Sequence, residues 1–340
     1  MSREFLLMVE ESAYKTPVAS PVVYPTASPT AYYARLDGAN TFTMRPRPVM
    51  VTVPFGGGVA TDAFRVSDKI ECKGRLTTKV YAGTTGVIGM GGWLLNWATT
   101  QINAGQTLPW TTTEPAGDLA SISIYHGVVR SDGTIKRRVY LGCKPDGYDL
   151  SVSEDGTIAT LSIDISGSTP QGNQFDSSTD PTAGTFPAPT DAQMPLNPYV
   201  FTHASGGLTI GTARTQFQSV QLSVKNMIAR RFWANRFINL MRFVGRTATL
   251  QAQNFYVPTP DDRTDYEGLL GFNAGAGYTG TTVTFELNNG VHTIIYNLET
   301  NSVITTFEDN LPLNDLYTQT MTVATQWDPA NSIDLTVALT

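Results

Sequence analysis

From about residue 64 onward, apolar and polar positions alternate over much of the chain, the period-two signature of strands that bury one face. Ile70-Glu71-Cys72-Lys73-Gly74-Arg75-Leu76-Thr77-Thr78-Lys79-Val80-Tyr81 alternates in part and is rich in Thr, Val and Tyr, which predicts a strand. A glycine-punctuated segment, 82–92, leads into Trp93-Leu94-Leu95-Asn96-Trp97-Ala98, whose spacing predicts a short buried helix. Strands are predicted again over 119–129 and 135–143. Tyr148-Asp149-Leu150-Ser151-Val152-Ser153, the turn Glu154-Asp155-Gly156 and Thr157–Ile165 read as a β-hairpin, with glycine where a positive φ is wanted. Residues 166–198, loaded with Ser, Thr, Pro, Gly and Asp, read as a linker or long surface loop.

The second half repeats this grammar. Phe201-Thr202-His203 followed by Phe217–Val224 parallels Tyr125-His126 followed by Tyr148–Val152, and Gly245-Arg246-Thr247-Ala248-Thr249-Leu250 parallels Gly74–Lys79. An internal duplication of one all-β unit is the expectation. The stretch Lys225–Val244 interleaves basic and aromatic residues and permits two readings. It could bind single-stranded nucleic acid by stacking, or Trp233, Phe237, Leu240, Met241 and Val244, at helical spacing, form a core stripe whose arginines reach an acidic neighbour. The second is preferred.

Residues 1–60 read as an extended arm. Pro17, Pro21, Pro25, Pro29, Pro46, Pro48 and Pro54 exclude a helix running through 12–60, and Tyr14, Tyr24, Tyr32 and Tyr33 would anchor the arm on a neighbouring chain. The apolar run Phe5–Val9 is short and fenced by carboxylates, so no signal peptide is predicted. No stretch approaches the roughly 18 apolar residues of a membrane span.

Composition sharpens this picture. Among 340 residues only 15% are charged, well under the roughly 25% of an ordinary soluble protein, and 47 are Thr. Much of the surface is therefore expected to face other protein. A net charge of −6 with only 7 Lys does not suit a phosphate-neutralising DNA binder. Cys72 and Cys143 lack metal-ligand spacing and are read as reduced thiols. Charge is also segregated: residues 192–260 carry seven basic groups and no carboxylate, whereas 261–340 carry eleven carboxylates against Arg263. Such a dipole suits head-to-tail stacking.

Candidate chemistry is thin. Gly275-Ala276-Gly277-Tyr278-Thr279-Gly280 is a formal G-x-G-x-x-G, but a strand-like segment, Thr281–Leu287, follows it where a phosphate site needs a helix N-terminus, so it reads as a glycine turn. His126, His203 and His292 are dispersed, and none lies near a nucleophile elbow. Asp261-Asp262 and Glu308-Asp309 read as solvated loop acids rather than a glycosidase pair. No enzyme, cofactor or metal is expected.

Tyr140-Leu141-Gly142-Cys143 followed by Tyr148–Ile158, then Gln218–Asn226, Gly245–Leu250 and the opening Glu10-Glu11-Ser12-Ala13-Tyr14-Lys15-Thr16-Pro17 resemble the tail-tube (major tail) proteins of long-tailed bacteriophages in their two-domain form. The resemblance implies an all-β fold of tandem tail-tube-type β-sandwich or barrel units with short flanking helices. The chain then divides into the arm 1–60, a first β domain 61–168, a linker 169–198 and a second β domain 199–340. It also implies a structural virion protein, made in the host cytoplasm, that assembles with itself into stacked rings around a tape-measure protein, meets tail-tip and terminator proteins, and passes DNA as cargo without entering a membrane. An acidic lumen would repel that DNA. Two units per chain predict trimeric rings with pseudo-sixfold symmetry. The expected inter-subunit contacts are Tyr14, Tyr24, Tyr32, Arg230, Arg231, Arg236, Arg242, Asp261, Asp262, Glu308 and Asp309. Alternatives are another virion β protein, such as a tail-tip or capsid-decoration component, and a carbohydrate-binding or hydrolytic β-sandwich.

Overall fold

The computed structural model describes residues 3–18, 20–36, 38, 40–53, 64–84, 87–99, 110–111, 118–129, 131–133, 135–153, 156–168, 188–194, 197–198, 207–210, 212–213, 217–233, 238–255, 281–310, 318–325 and 335–339. In chain order these form β1 (Arg3–Ala13), β2 (Thr16–Pro17), β3 (Ala31–Leu36), β4 (Thr41–Val53), β5 (Phe64–Lys79), β6 (Tyr81–Ala82), helix α1 (Met90–Thr99), β7 (Trp110–Thr111), β8 (Ile122–Val129), β9 (Ile135–Ser153) and β10 (Gly156–Ser168). A 3-10 turn (Asp191–Gln193) and β11 (Asn197–Pro198) follow. The rest are β12 (Leu208–Ile210), β13 (Thr212–Ala213), β14 (Phe217–Arg231), β15 (Leu240–Phe255), β16 (Thr281–Asn288), β17 (Thr293–Asn310), β18 (Thr318–Ala324) and β19 (Leu335–Leu339). The fold is all-β with one buried helix among the described residues, as the alternation predicted.

The strands build one topological unit twice. In the first unit an outer sheet runs β3–β1–β8–β9 and an inner sheet runs β4–β5–β10–β9. In the second, the outer sheet runs β13–β12–β16–β17–β19 and the inner sheet β14–β15–β18–β17. The long strands β9 and β17 belong to both sheets of their units, crossing from outer to inner partway along. The duplication holds, with one change of equivalence. Gly245–Leu250 lies in β15, the counterpart of β5, but Phe217–Val224 lies in β14, which occupies the place of β4 and not that of Tyr148–Val152. A two-period pattern identifies a strand; only its neighbours identify which strand it is.

The N-terminal segment is not an arm over its described residues. β1 is a central strand between β3 and β8, and both its faces are covered: Leu6 and Met8 join the main core, while Phe5, Leu7 and Val9 join a second cluster with Ala31, Tyr33, Tyr125 and Val139. Burial on both sides explains the continuous apolar run Phe5–Val9. Pro46 and Pro48 sit in β4, an edge strand in the chain, where missing N–H donors are tolerated. Part of the expected linker, 188–194, packs on the outer cluster through Ala188 and Met194; residues 169–187 lie outside the described residues.

Helix α1 is buried along its whole length, which accounts for its apolar composition on every side. Trp93 donates its indole N–H to Glu10 at 2.9 Å and packs 4.8 Å from the Tyr32 ring; Trp97 donates to the Ala120 carbonyl. Its C-terminal carbonyls are satisfied from the second unit: Asn226 Nδ2 donates to Ala98 O at 2.9 Å and Arg246 Nη1 to Thr99 O at 2.7 Å. A cation at a helix C-terminus is favoured by the helix dipole. The units are thus interlocked, a tie repeated where β7 of the first half pairs with β19 of the second.

Candidate assembly surface

The two inner sheets are one. β9 pairs antiparallel with β14, Val220 opposite Val152, Leu222 opposite Leu150 and Val224 opposite Tyr148. A continuous sheet in the order β4–β5–β10–β9–β14–β15–β18–β17 results. Its apolar phase is buried: Leu76, Leu150, Leu161, Leu222, Leu250 and Val323 each expose 1% or less. Its other face is a wall of hydroxyls and amides, because β-ladder partners share a face. One row runs Thr41, Thr77, Ser162, Asp149, Ser223, Thr249, and the next Thr160, Ser151, Gln221, Gln251, Thr322, Thr306. Charges there include Arg45, Lys73, Arg75, Lys79 and Lys225 against Glu71, Asp149, Asp164 and Glu308, and several neutralise one another: Arg75 lies 2.8 Å from Asp149 and 3.8 Å from Asp164, and Lys73 3.4 Å from Glu71. The acidity of the chain is not concentrated on this face among the described residues.

Each unit extends one two-stranded hairpin past its sheet. β14 has its last β9 partner at Lys225 and continues through 226–231, an overhang of about 20 Å at roughly 3.3 Å per residue; β4 and β5 overhang β10 in the same way. This hairpin overturns the helical core stripe expected over Lys225–Val244. Trp233 is 73% exposed, Val244 68% and Met227 52%, while Ile238 and Met241 are buried; Phe237 lies outside the described residues. Strand pairing of Met227 with Gly245 and Arg230 with Met241 fixes a period of two, which splits the stripe between faces. Trp233 also holds a φ of +42° at the turn, a costly conformation for a bulky residue.

A polar belt clamps the overhanging hairpin, out to its turn, to the first unit. Lys15 Nζ and Ser168 Oγ donate to the Ile238 carbonyl, Lys144 Nζ to the Met241 carbonyl, and the Phe243 amide to Asp118 Oδ1. Arg230 pairs with Asp146 and also donates to Ser166. Burial lowers the pKa of Lys144, opposed by its contact with Asp118, and raises that of Asp146, opposed by Ser166 and Arg230. Lys69 of the first hairpin lies 5.0 Å over the Phe232 ring of the second, so the two overhangs touch. Sequence reading missed this belt. Its one legible signal is Asn226, a polar residue in the apolar phase Val220-Leu222-Val224-Asn226, where burial demands a partner.

The residues expected at chain interfaces divide accordingly. Tyr24 and Tyr32, 6% and 1% exposed, belong to their own chain's core, because β1 and β3 are integral to it. Tyr14 packs over Gly142, where an added Cβ would sit 2.7 Å from its ring, and has Lys15 and Lys144 ammonium groups 5.3 and 5.9 Å from its centroid. Arg230 finds its carboxylate in Asp146 of the first unit, not in residues 261–340. Arg231 and Arg242 are exposed on the hairpin, and Glu308 is exposed on β17. Asp309 lies in β17 opposite Gln319. Arg236, Asp261 and Asp262 fall outside the described residues, as do His203 and the Gly275–Gly280 turn. The segments carrying the family resemblance have structural roles: Tyr140 donates to the Met44 carbonyl, and the Glu11 carboxylate accepts from Ser121, Ser123 and the amides of Lys15 and Gly142. Gly142 takes a φ of +61° there. Cys72 and Cys143 are free, buried thiols close to one another around Gly167, and burial pushes Cys72 up to about 12. Among the described residues no three His, Cys, Asp or Glu gather as a metal group.

No curated protein matches the chain. Residues 1–243, well over half its length, match the family model for phage tail tube protein. With a duplicated β unit whose inner sheets already join edge to edge, the chain belongs to the phage tail tube protein family and is a structural protein of the virion tail.

Proposed function

We propose that three chains close a ring in which their inner sheets form one continuous wall, and that such rings stack into the hollow tail tube of a long-tailed phage. The carrying observation is the β9–β14 junction: one chain joins two equivalent units through strand pairing, and among the described residues β4 and β17 stand at the two ends of that inner sheet. Two units per chain fill two of six places, so three chains close the circle. The hydroxyl and amide face would line the channel. A wall of short polar groups that mixes both signs of charge, with Arg75 and Lys73 paired to carboxylates, offers phosphate neither a cationic trap nor a strong repulsive field, so DNA passes without adhering. No catalytic step is needed for that role. Assembly would take place in host cytoplasm around a tape-measure protein, with tail-tip and terminator proteins at the two ends.

The exposed hairpin residues Trp233, Arg231 and Arg242 support stacking between rings, where they would face carboxylates from the acidic C-terminal stretch, residues 261–340. Electron microscopy of the purified chain tests the reading: threefold rings and tubes are expected. A ring of six chains overturns the stoichiometry. Discrete unstacked oligomers would favour another virion role, and monomers that bind glycans a carbohydrate-binding one.

A further inference from the structure

The hairpin turn between β16 and β17 carries chemistry of its own. The sequence contains a single Asn-Gly pair, Asn289-Gly290, and it sits at the tip of a strand pairing that closes with Asn288 opposite Thr293. Asn-Gly suits such a tip because glycine takes a positive φ without strain, here +84°. The same pair sets an electrophile, the Asn289 side-chain carbonyl carbon, beside a nucleophile, the Gly290 backbone nitrogen, which no side chain of its own shields. Gly290 is exposed, and among the described residues no atom lies within 4 Å of the place its Cβ would occupy.

Hydrogen bonds in the turn favour attack at that carbon. Asn289 Oδ1 accepts the backbone amides of Val291 at 3.0 Å and His292 at 2.7 Å. Two N–H donors on one carbonyl oxygen polarise it and stabilise the negative charge it takes up when its carbon is attacked, as the donors of an oxyanion hole do. The Gly290 N–H is donated to Asn288 Oδ1 at 2.6 Å, an exposed contact outside the β-ladder, so base from solvent can reach its proton.

We propose that Asn289 is a self-modification site, at which the folded turn converts the carboxamide to a carboxylate. The Gly290 nitrogen gives its proton to hydroxide and bonds to Asn289 Cγ; the Cγ–Nδ2 bond breaks, and Nδ2 takes a proton from water and leaves as ammonia. Water then opens the cyclic imide. Cleavage of the new N–Cγ bond leaves aspartate in the asparagine's place, and cleavage at the backbone carbonyl leaves isoaspartate, with the main chain routed through the side chain. The corresponding hairpin of the first unit, between β8 and β9, already carries a carboxylate there: it turns through Asp132-Gly133, with Gly133 at a φ of +82° and equally open around its Cβ. An aspartate in the second turn keeps both amide donors, now on a charged acceptor. The turn therefore survives the change, and each chain gains one negative charge at an exposed hairpin.

Incubation of the intact, folded chain in heavy-oxygen water, followed by peptide mapping in a mass spectrometer, tests this. Replacement of the side-chain nitrogen by a labelled oxygen is expected at Asn289 several-fold faster than at Asn301 and Asn331, each of which precedes serine. Conversion at Asn289 that is no faster than at those two overturns the proposal. So does conversion that appears only when the chain is unfolded in urea, since the reaction would then owe nothing to the folded turn. The variant Asn289→Asp should co-migrate with the aged wild-type chain in isoelectric focusing and melt at or above the wild-type temperature; a large fall in its melting temperature would refute the claim that the turn accepts the carboxylate.

Discussion

At the scale of single residues, buried polar groups carry the sharpest expectations. Glu10 sits against Trp93 with its pKa raised by burial, the indole N–H opposing in part. A carboxyl whose folded pKa exceeds its unfolded value gives its full stabilising contribution below the unfolded pKa and loses it as pH rises through the folded one. Glu10→Gln keeps an acceptor for Trp93 without a charge. The variant should melt at or above the wild-type temperature at pH 8, and the wild-type gain in stability on acidification toward pH 5 should shrink; a large fall in the melting temperature at pH 8 would refute this. Asn226→Ala should cost about 1–3 kcal/mol, since it leaves the Ala98 and Pro145 carbonyls unpaired, and denaturant titration reads it directly. The Asn226 position was visible in the sequence as a polar residue in an apolar phase; its partners, 81 and 128 residues away, were not, because alternation records that a face is covered and not by what.

At the scale of elements, the β14–β15 hairpin separates two kinds of arginine. Arg230 is three-quarters covered and paired with Asp146 inside the chain. Its reversal to Glu sets two carboxylates together and should destabilise the monomer by about 3–5 kcal/mol. Arg231 and Arg242 are exposed, so their reversal should leave the monomer melt within about 0.5 kcal/mol while slowing tube growth. Light scattering alongside thermal melts separates the two effects, and a monomer destabilised by Arg231→Glu would count against the stacking role. Trp233→Gly relieves a positive φ and removes an exposed indole; the melt should hold or rise while stacking falls. Normal tubes from this variant would remove Trp233 from the interface.

At the scale of the whole molecule, deletion of residues 2–40 takes out β1 and β3, the centre and edge of the outer sheet. The truncated chain is expected to lose cooperative unfolding altogether rather than remain a folded subunit unable to assemble; a native-like melt would contradict the central placement of β1. Ring stacking driven by exposed charges should weaken between 0.1 and 1 M salt, where the screening length falls from about 10 to about 3 Å. Strand-paired closure within a ring should persist, so high salt is expected to yield isolated rings, visible by electron microscopy.

The sequence by itself determined the local structure: the strands over 64–81, 119–129 and 135–165, the helix around Trp93–Trp97, the strand character of Gly245–Leu250 as of Gly74–Lys79 though not their residue-by-residue match, and the hairpin that carries the family resemblance. Each depends on periodicity and turn chemistry among residues close in the chain, which a linear reading contains. Tertiary structure alone decided that Phe5–Val9 is a central strand, that Tyr24 and Tyr32 are core residues, that Trp233 points to solvent, and that Arg230 answers to Asp146. It also decided which strands are left as edges. Those outcomes turn on register between segments far apart in sequence, where a shift of one residue exchanges the buried and exposed faces of a strand, and no local pattern fixes that choice.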